Sequence, residues 1–140
     1  NLGVIGNCQI ASLIDGRGAM VWTCMPKLDA DPTFCRLLRS DGDPAIPGYY
    51  DIDLENFDRS EQHYLENTAV LETILYDHHD NAVAITDFAP RFDYFGRMYK
   101  PVMLVRGLRP VAGQPRIAHG RAIHMRVVFA AHSCHGLMLP

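Results

Sequence analysis

What the 140-residue chain lacks narrows it first. No apolar run approaches the ~20 residues that a membrane-spanning helix needs, so no transmembrane helix is expected. No basic start followed by an apolar block opens the chain, so no secretory leader is expected either. The first residue is Asn rather than Met, as in a processed product or a fragment. None of the four cysteines, Cys8, Cys24, Cys35 and Cys134, stands in a CxxC pair. Without a leader the thiols are expected to be reduced, in a cytoplasmic protein. Cys8 and Cys24 could face each other across a hairpin, but buried free cysteines acting as small hydrophobes are the expectation. There is no G-x-S-x-G. The stretch "GVIGN" at 3–7 has two glycines where a dinucleotide loop needs three, and no strand is read before it. No internal repeat and no low-complexity segment occurs. Acids are scarce at one end: residues 91–140 hold eight Lys/Arg and a single acid, Asp93, a balance of +7. Residues 1–90 hold five Lys/Arg and fifteen Asp/Glu, a balance of −10. The basic residues are spread singly among apolar ones, so nucleic acid is not an expected partner, nor is a membrane.

What is present reads as strands and turns. "QIASLI" at 9–14, "DGRG" and "AMVWT" at 19–23 make a strand, a tight turn and a strand. Asp31–Pro32 resembles a helix N-cap followed by a first-turn proline, which predicts one short helix near 32–38. "RSDGDPAIPG" is a loop. "YYDIDLE" at 49–55 alternates like a half-exposed strand, and 62–66 holds a further short one. "AVLETILY" and "AVAITDF" alternate on either side of the turn "DHHDN", and both are rich in the β-branched and aromatic residues that suit a pleated surface. Pro90 ends that pair, and "PVMLVRGLR" at 101–109 is a further strand. "AIHMRVVFA" fits either a strand or a helix. Many short strands and almost no helix predict a mostly β fold, an antiparallel β-sandwich in one domain.

The chemistry-bearing residues give little by themselves. His78 and His79 fall in a hairpin turn, where exposed polar residues are ordinary. His132, Cys134 and His135 are the one Cys/His cluster, and a closed zinc site needs a second pair that the sequence does not supply. No metal and no cofactor is therefore expected. Asp87 stands inside an apolar strand, so it must be hydrogen-bonded or paired; a structural aspartate bonding loop amides is the expectation. Paired carboxylates of the kind that cleave glycosidic bonds cannot be selected from the many turn acids.

Three stretches taken in order change the reading. They are "LGVIGNCQIASLIDGRGAMVWTCMPKLD" at 2–29, "YLENTAVLETIL" with "AVAITDFAPR", and "MLVRGLRPVAGQPRI" at 103–117. The series resembles the N-terminal domain of bacterial glycoside hydrolase family 15 proteins, the glucoamylase- and trehalase-like enzymes, over roughly residues 1–117. The resemblance implies a β-sandwich that precedes an (α/α)6 helical barrel. It places both catalytic glutamates in that barrel, which this chain does not contain. No residue here therefore inherits a catalytic role. The implied partners are the helical barrel of the parent chain and, through it, an α-glucan or trehalose. The competing reading is a free-standing carbohydrate- or protein-binding sandwich.

The resemblance draws attention to "MVWTCMPKLDADPTF" at 20–34, which holds the chain's single Trp. Trp22, Pro26, Lys27 and Asp29 are the candidates for a substrate rim or a domain interface, with Trp22 packed at the strand end and the other three projecting toward the barrel. Residues 118–140 do not align with the family. A shifted reading frame, a truncated product and true divergence each account for that tail, and a sandwich incomplete at this end is the expectation.

Overall fold

The computed structural model describes residues 1–38, 48–119 and 128–129. Its strands are β1 (Leu2–Gly6), β2 (Ala11–Asp15), β3 (Met20–Cys24), β4 (Pro32–Cys35), β5 (Ile52–Leu54), β6 (Phe57–Tyr64), β7 (Leu71–Asp77), β8 (Ala82–Phe88), β9 (Phe92–Tyr94), β10 (Arg97–Tyr99), β11 (Val105–Ala112), β12 (Ile117–His119) and β13 (Val128–Phe129). One sheet has the order β1-β2-β3-β4 and a second the order β13-β11-β8-β7-β6. Two-stranded ladders β12-β5 and β10-β9 accompany them. All pairs are antiparallel except β11 with β13. The fold is mostly β, an antiparallel sandwich.

Period-two alternation explains which faces meet. Leu71, Thr73, Leu75 and Asp77 of β7 are buried, while Glu72, Ile74 and Tyr76 between them are half-buried. Ile5, Ile14, Met20 and Phe34 of the first sheet join Leu71, Leu75, Val83 and Ile85 of the second in one core. Ile52, Leu54 and Ile117 of the β5–β12 ladder close it. Each such side chain contributes roughly 1.5–3 kcal/mol by leaving water.

Polar side chains tie the two sheets together. Arg106 of β11 and Asp87 of β8 are register partners, with side chains 1% and 0% exposed. Arg106 Nε donates to Asp87 Oδ1 at 2.7 Å, and Nη2 donates to Oδ2 at 2.8 Å. The same Nη2 reaches across to the Gly18 carbonyl in the β2–β3 turn, at 2.7 Å. Gly18 holds φ at 79°, which a side chain would strain, and a Cβ there would press on Ile85. From β6, Ser60 donates to the Gly16 carbonyl of the same turn and Gln62 to the Asp15 carbonyl. The Tyr64 hydroxyl accepts from Val4 N at 2.7 Å and donates to Val4 O at 2.8 Å.

Asp87 is buried as the sequence requires, but its partner is a guanidinium rather than loop amides. The helix expected over 32–38 is corrected: Pro32–Cys35 is strand β4, and only Arg36–Leu38 forms a 3-10 turn. Tertiary pairing overrides the local signal, because β4 lays Phe34, 1% exposed, into the core beside Thr23. Pro32 is tolerated because it opens an edge strand. The short strand expected at 62–66 is the end of the longer β6. β1, the β9–β10 hairpin and β12 have no counterpart in the sequence reading. Of the tail, Ile117–His119 pairs with β5, and Val128–Phe129 runs parallel to Val105–Arg106. The rest of 118–140, with His132, Cys134 and His135, lies outside the described residues.

Candidate functional site

The β3–β4 loop is short because Cys24 and Pro32 are register partners. A turn closes it, with Ala30 N donating to Lys27 O at 3.2 Å, and the Met25–Pro26 peptide is cis. Pro26, Lys27, Leu28 and Asp29 are all exposed. Lys27, Leu28 and Asp29 form one wall of an open cleft of about 420 Å³, and Cys8, Gln9 and Lys100 form the other.

Asn7 builds that second wall. Its side chain is 1% exposed and makes four hydrogen bonds. Oδ1 accepts from Gln9 N and Ile10 N, shaping the β1–β2 turn. Nδ2 donates to Pro90 O at 3.0 Å and to Pro101 O at 2.8 Å. Those two carbonyls bracket the chain's excursion through β9 and β10, so one amide fixes the base of that hairpin and brings Lys100 to the cleft. Cys8 sits at the apex with φ at 69°, and Arg91 Nη1 donates to its Sγ at 3.5 Å.

Of the four loop candidates, the structure brings Lys27 and Asp29 together on the cleft. Pro26 is exposed in the same loop but is not among the lining residues. Trp22 is half-buried in the middle of β3, opposite Leu13 and Cys35, and does not line the cleft. Cys8, Gln9, Leu28 and Lys100 were not singled out from sequence. Lys27 and Lys100 are the chain's only two lysines, a signal that becomes informative only when the fold places them on one cleft.

A second concavity of about 250 Å³ lies at the β7–β8 turn, lined by Glu55, Asn56, Asp77, His79, Asn81, Gln114 and Arg116. Asp77 organises the turn, accepting from the Asn81 side chain and from the backbone of His79 and Asn81. The Asn81 bond, ahead of the backbone donors, holds the Asp77 carboxyl below its ordinary range. These bonds serve turn geometry. His78 is exposed, with Nδ1 3.5 Å from Asp58.

The buried pair Asp87–Arg106 lies under Tyr50, whose ring is 4.9 Å from the guanidinium carbon. Burial pushes the Tyr50 hydroxyl and the Asp51 carboxyl upward. Tyr50 Oη, Asp51 Oδ1 and Arg106 Nη1 have no hydrogen-bond partner among the described residues. With both charges enclosed, this group is a tie between the sheets rather than a reactive site.

Among the described residues no three His, Cys, Asp or Glu side chains gather as metal ligands, and Cys8, Cys24 and Cys35 are free thiols. No helix among them is long and apolar enough to cross a membrane. No family model, curated protein or solved structure matches the chain.

Proposed function

We propose that the chain is the non-catalytic N-terminal β-sandwich of a glycoside hydrolase family 15-like enzyme, acting beside a helical catalytic barrel in the parent protein. The observation that carries this reading is the agreement between the three resembling stretches and the elements they form. The first becomes the β1–β3 meander, the second the β7–β8 hairpin, and the third β11 and the start of β12. The cleft then supplies the loop candidates with a position, with Lys27 and Asp29 side by side at an exposed margin. A carboxylate such as Asp29 accepts sugar hydroxyl protons, and a loop of this kind suits a substrate rim or a domain boundary. The exposed β9–β10 hairpin fits the same reading. Phe92, Tyr94, Phe95, Met98 and Tyr99 are 45–89% exposed, as expected of a face that packs on a further domain.

In the parent, the barrel's two glutamates would hydrolyse an α-glucosidic bond with inversion, one as acid and one as base. The 140-residue chain binds or braces and does not turn over substrate. A cytoplasmic setting, with reduced thiols, goes with this proposal.

The test begins with the coding DNA beyond Pro140. A continuing frame, in register or offset, that encodes a helical domain with two suitably placed glutamates supports the reading. Its absence in every frame leaves the free-standing binding module. In an active parent, Asp29→Ala should raise KM or lower turnover if the loop touches sugar. Unchanged constants confine the loop to domain packing. α-Glucosidase turnover by the isolated chain overturns the proposal outright.

A further inference from the structure

We propose that the cleft between the β3–β4 loop and Lys100 binds the anionic group of an acidic saccharide, a sugar carrying a phosphate or carboxylate. The saccharide half rests on the proposed function, whereas the anion half stands on the charges of the cleft alone.

The chain is acidic overall, with a net charge of −3, yet its only two lysines line one cleft. Most described arginines have a stated employment. Arg59, Arg106 and Arg109 pair with carboxylates, and Arg17 and Arg36 lie over the rings of Phe57 and Tyr49. Neither Lys27 nor Lys100 makes an ion pair with any described residue. Arg91 contacts Cys8 Sγ at 3.5 Å but does not line the cleft. Of the lining side chains two are cationic and one, Asp29, is a carboxylate. Cations gathered at a concave surface raise the local concentration of anions even when the whole chain repels them.

The remaining lining residues suit a polyhydroxylated body. Gln9 donates and accepts, Asp29 accepts, and Leu28 offers an apolar contact to the C–H face of a ring. The cleft, about 420 Å³ and open to solvent, has room for a single sugar ring. The second wall is held by the four bonds of Asn7, so Lys100 and Cys8 are placed before any ligand arrives.

Isothermal titration of the 140-residue chain at low ionic strength tests this, with glucose 6-phosphate, glucuronate, glucose and inorganic phosphate as probes. Both acidic sugars should bind more tightly than glucose. Added salt should weaken them, because Lys27 is exposed and Lys100 only half-buried. Lys27→Gln with Lys100→Gln should cost about tenfold in affinity for the acidic sugars, while Lys27→Arg with Lys100→Arg retains most of it. The substituted side chains are at the surface, and an unchanged circular dichroism spectrum confirms the fold. Equal binding of glucose and the acidic sugars, or no binding of any acidic probe, overturns the proposal. Inorganic phosphate binding as tightly as glucose 6-phosphate upholds the anion half and overturns the saccharide half. Glucosidase activity of the parent is a separate readout, so losing the family reading leaves the phosphate arm intact.

Discussion

Replacing Asp87 by Asn keeps the side chain's shape and removes its charge. Arg106 then stays cationic at 1% exposure, with Tyr50's ring on one side and the Gly18 carbonyl at Nη2. Removing one partner of a buried pair leaves a charge that neither water nor a counter-ion solvates, a loss of about 3–5 kcal/mol. Of the two charge-assisted bonds of 2.7 and 2.8 Å, the amide oxygen keeps at most one, and the amide NH2 is left facing a guanidinium that cannot accept. For a chain of this length the loss corresponds to roughly 10–17 °C in Tm, from the usual entropy of unfolding per residue. It is also a large part of a domain's total stability of ~5–15 kcal/mol. Urea unfolding of the wild type, Asp87→Asn, Arg106→Met and the double variant Asp87→Leu/Arg106→Met measures it. The double variant removes both charges and should be less destabilised than either single. Singles within about 1 kcal/mol of wild type, or a double equal to their sum, would refute the argument.

Three further outcomes are expected. Asn7→Ala removes the four hydrogen bonds of a buried side chain and should cost about 2–4 kcal/mol. It should also speed tryptic cleavage at Arg91 and Arg97, and unchanged cleavage would mean that the hairpin base is held by other contacts. Asp77, whose pKa is lowered, stabilises the fold above the ordinary carboxylate range, and that contribution is lost as pH falls through its folded pKa. Asp77→Asn should flatten the acid limb of the stability curve, and an unaltered limb contradicts the assignment. Gly113 holds φ at 60° with the Asn81 side chain against its open face. Gly113→Ala should cost about 1–3 kcal/mol, read by thermal unfolding, and a neutral result would show that the turn re-forms elsewhere.

The parts legible in the sequence are those in which one face of a strand is buried. β7 alternates cleanly because one of its faces is buried, and Asp87 stood out because its neighbours in β8, buried from Ala82 to Ile85, are apolar. β9 and β10 were silent because all six of their residues are exposed, so burial imposes no period. β1 was obscured by its glycines, yet Gly3 is what admits Leu71 from the facing sheet. The Asp31–Pro32 signal misled because an N-cap and an edge-strand start use the same residues, and only Phe34's place in the core decides between them. The cleft was half legible. Lys27 and Asp29 lie in the loop singled out, whereas Lys100 is brought there by Asn7 from 93 positions away in sequence, which no local pattern records.

The outermost strand of the four-stranded sheet is guarded by a single oxygen. β1 pairs on one side only, so its other side offers amide and carbonyl groups to any extended peptide that drifts past. At Val4 that invitation is withdrawn, because the Tyr64 hydroxyl already gives a proton to the carbonyl and takes one from the amide. A side chain thus occupies one rung of a ladder that a foreign strand would otherwise climb. Tyr64 belongs to β6, the matching outer strand of the facing sheet, so the contact shields one margin with the other.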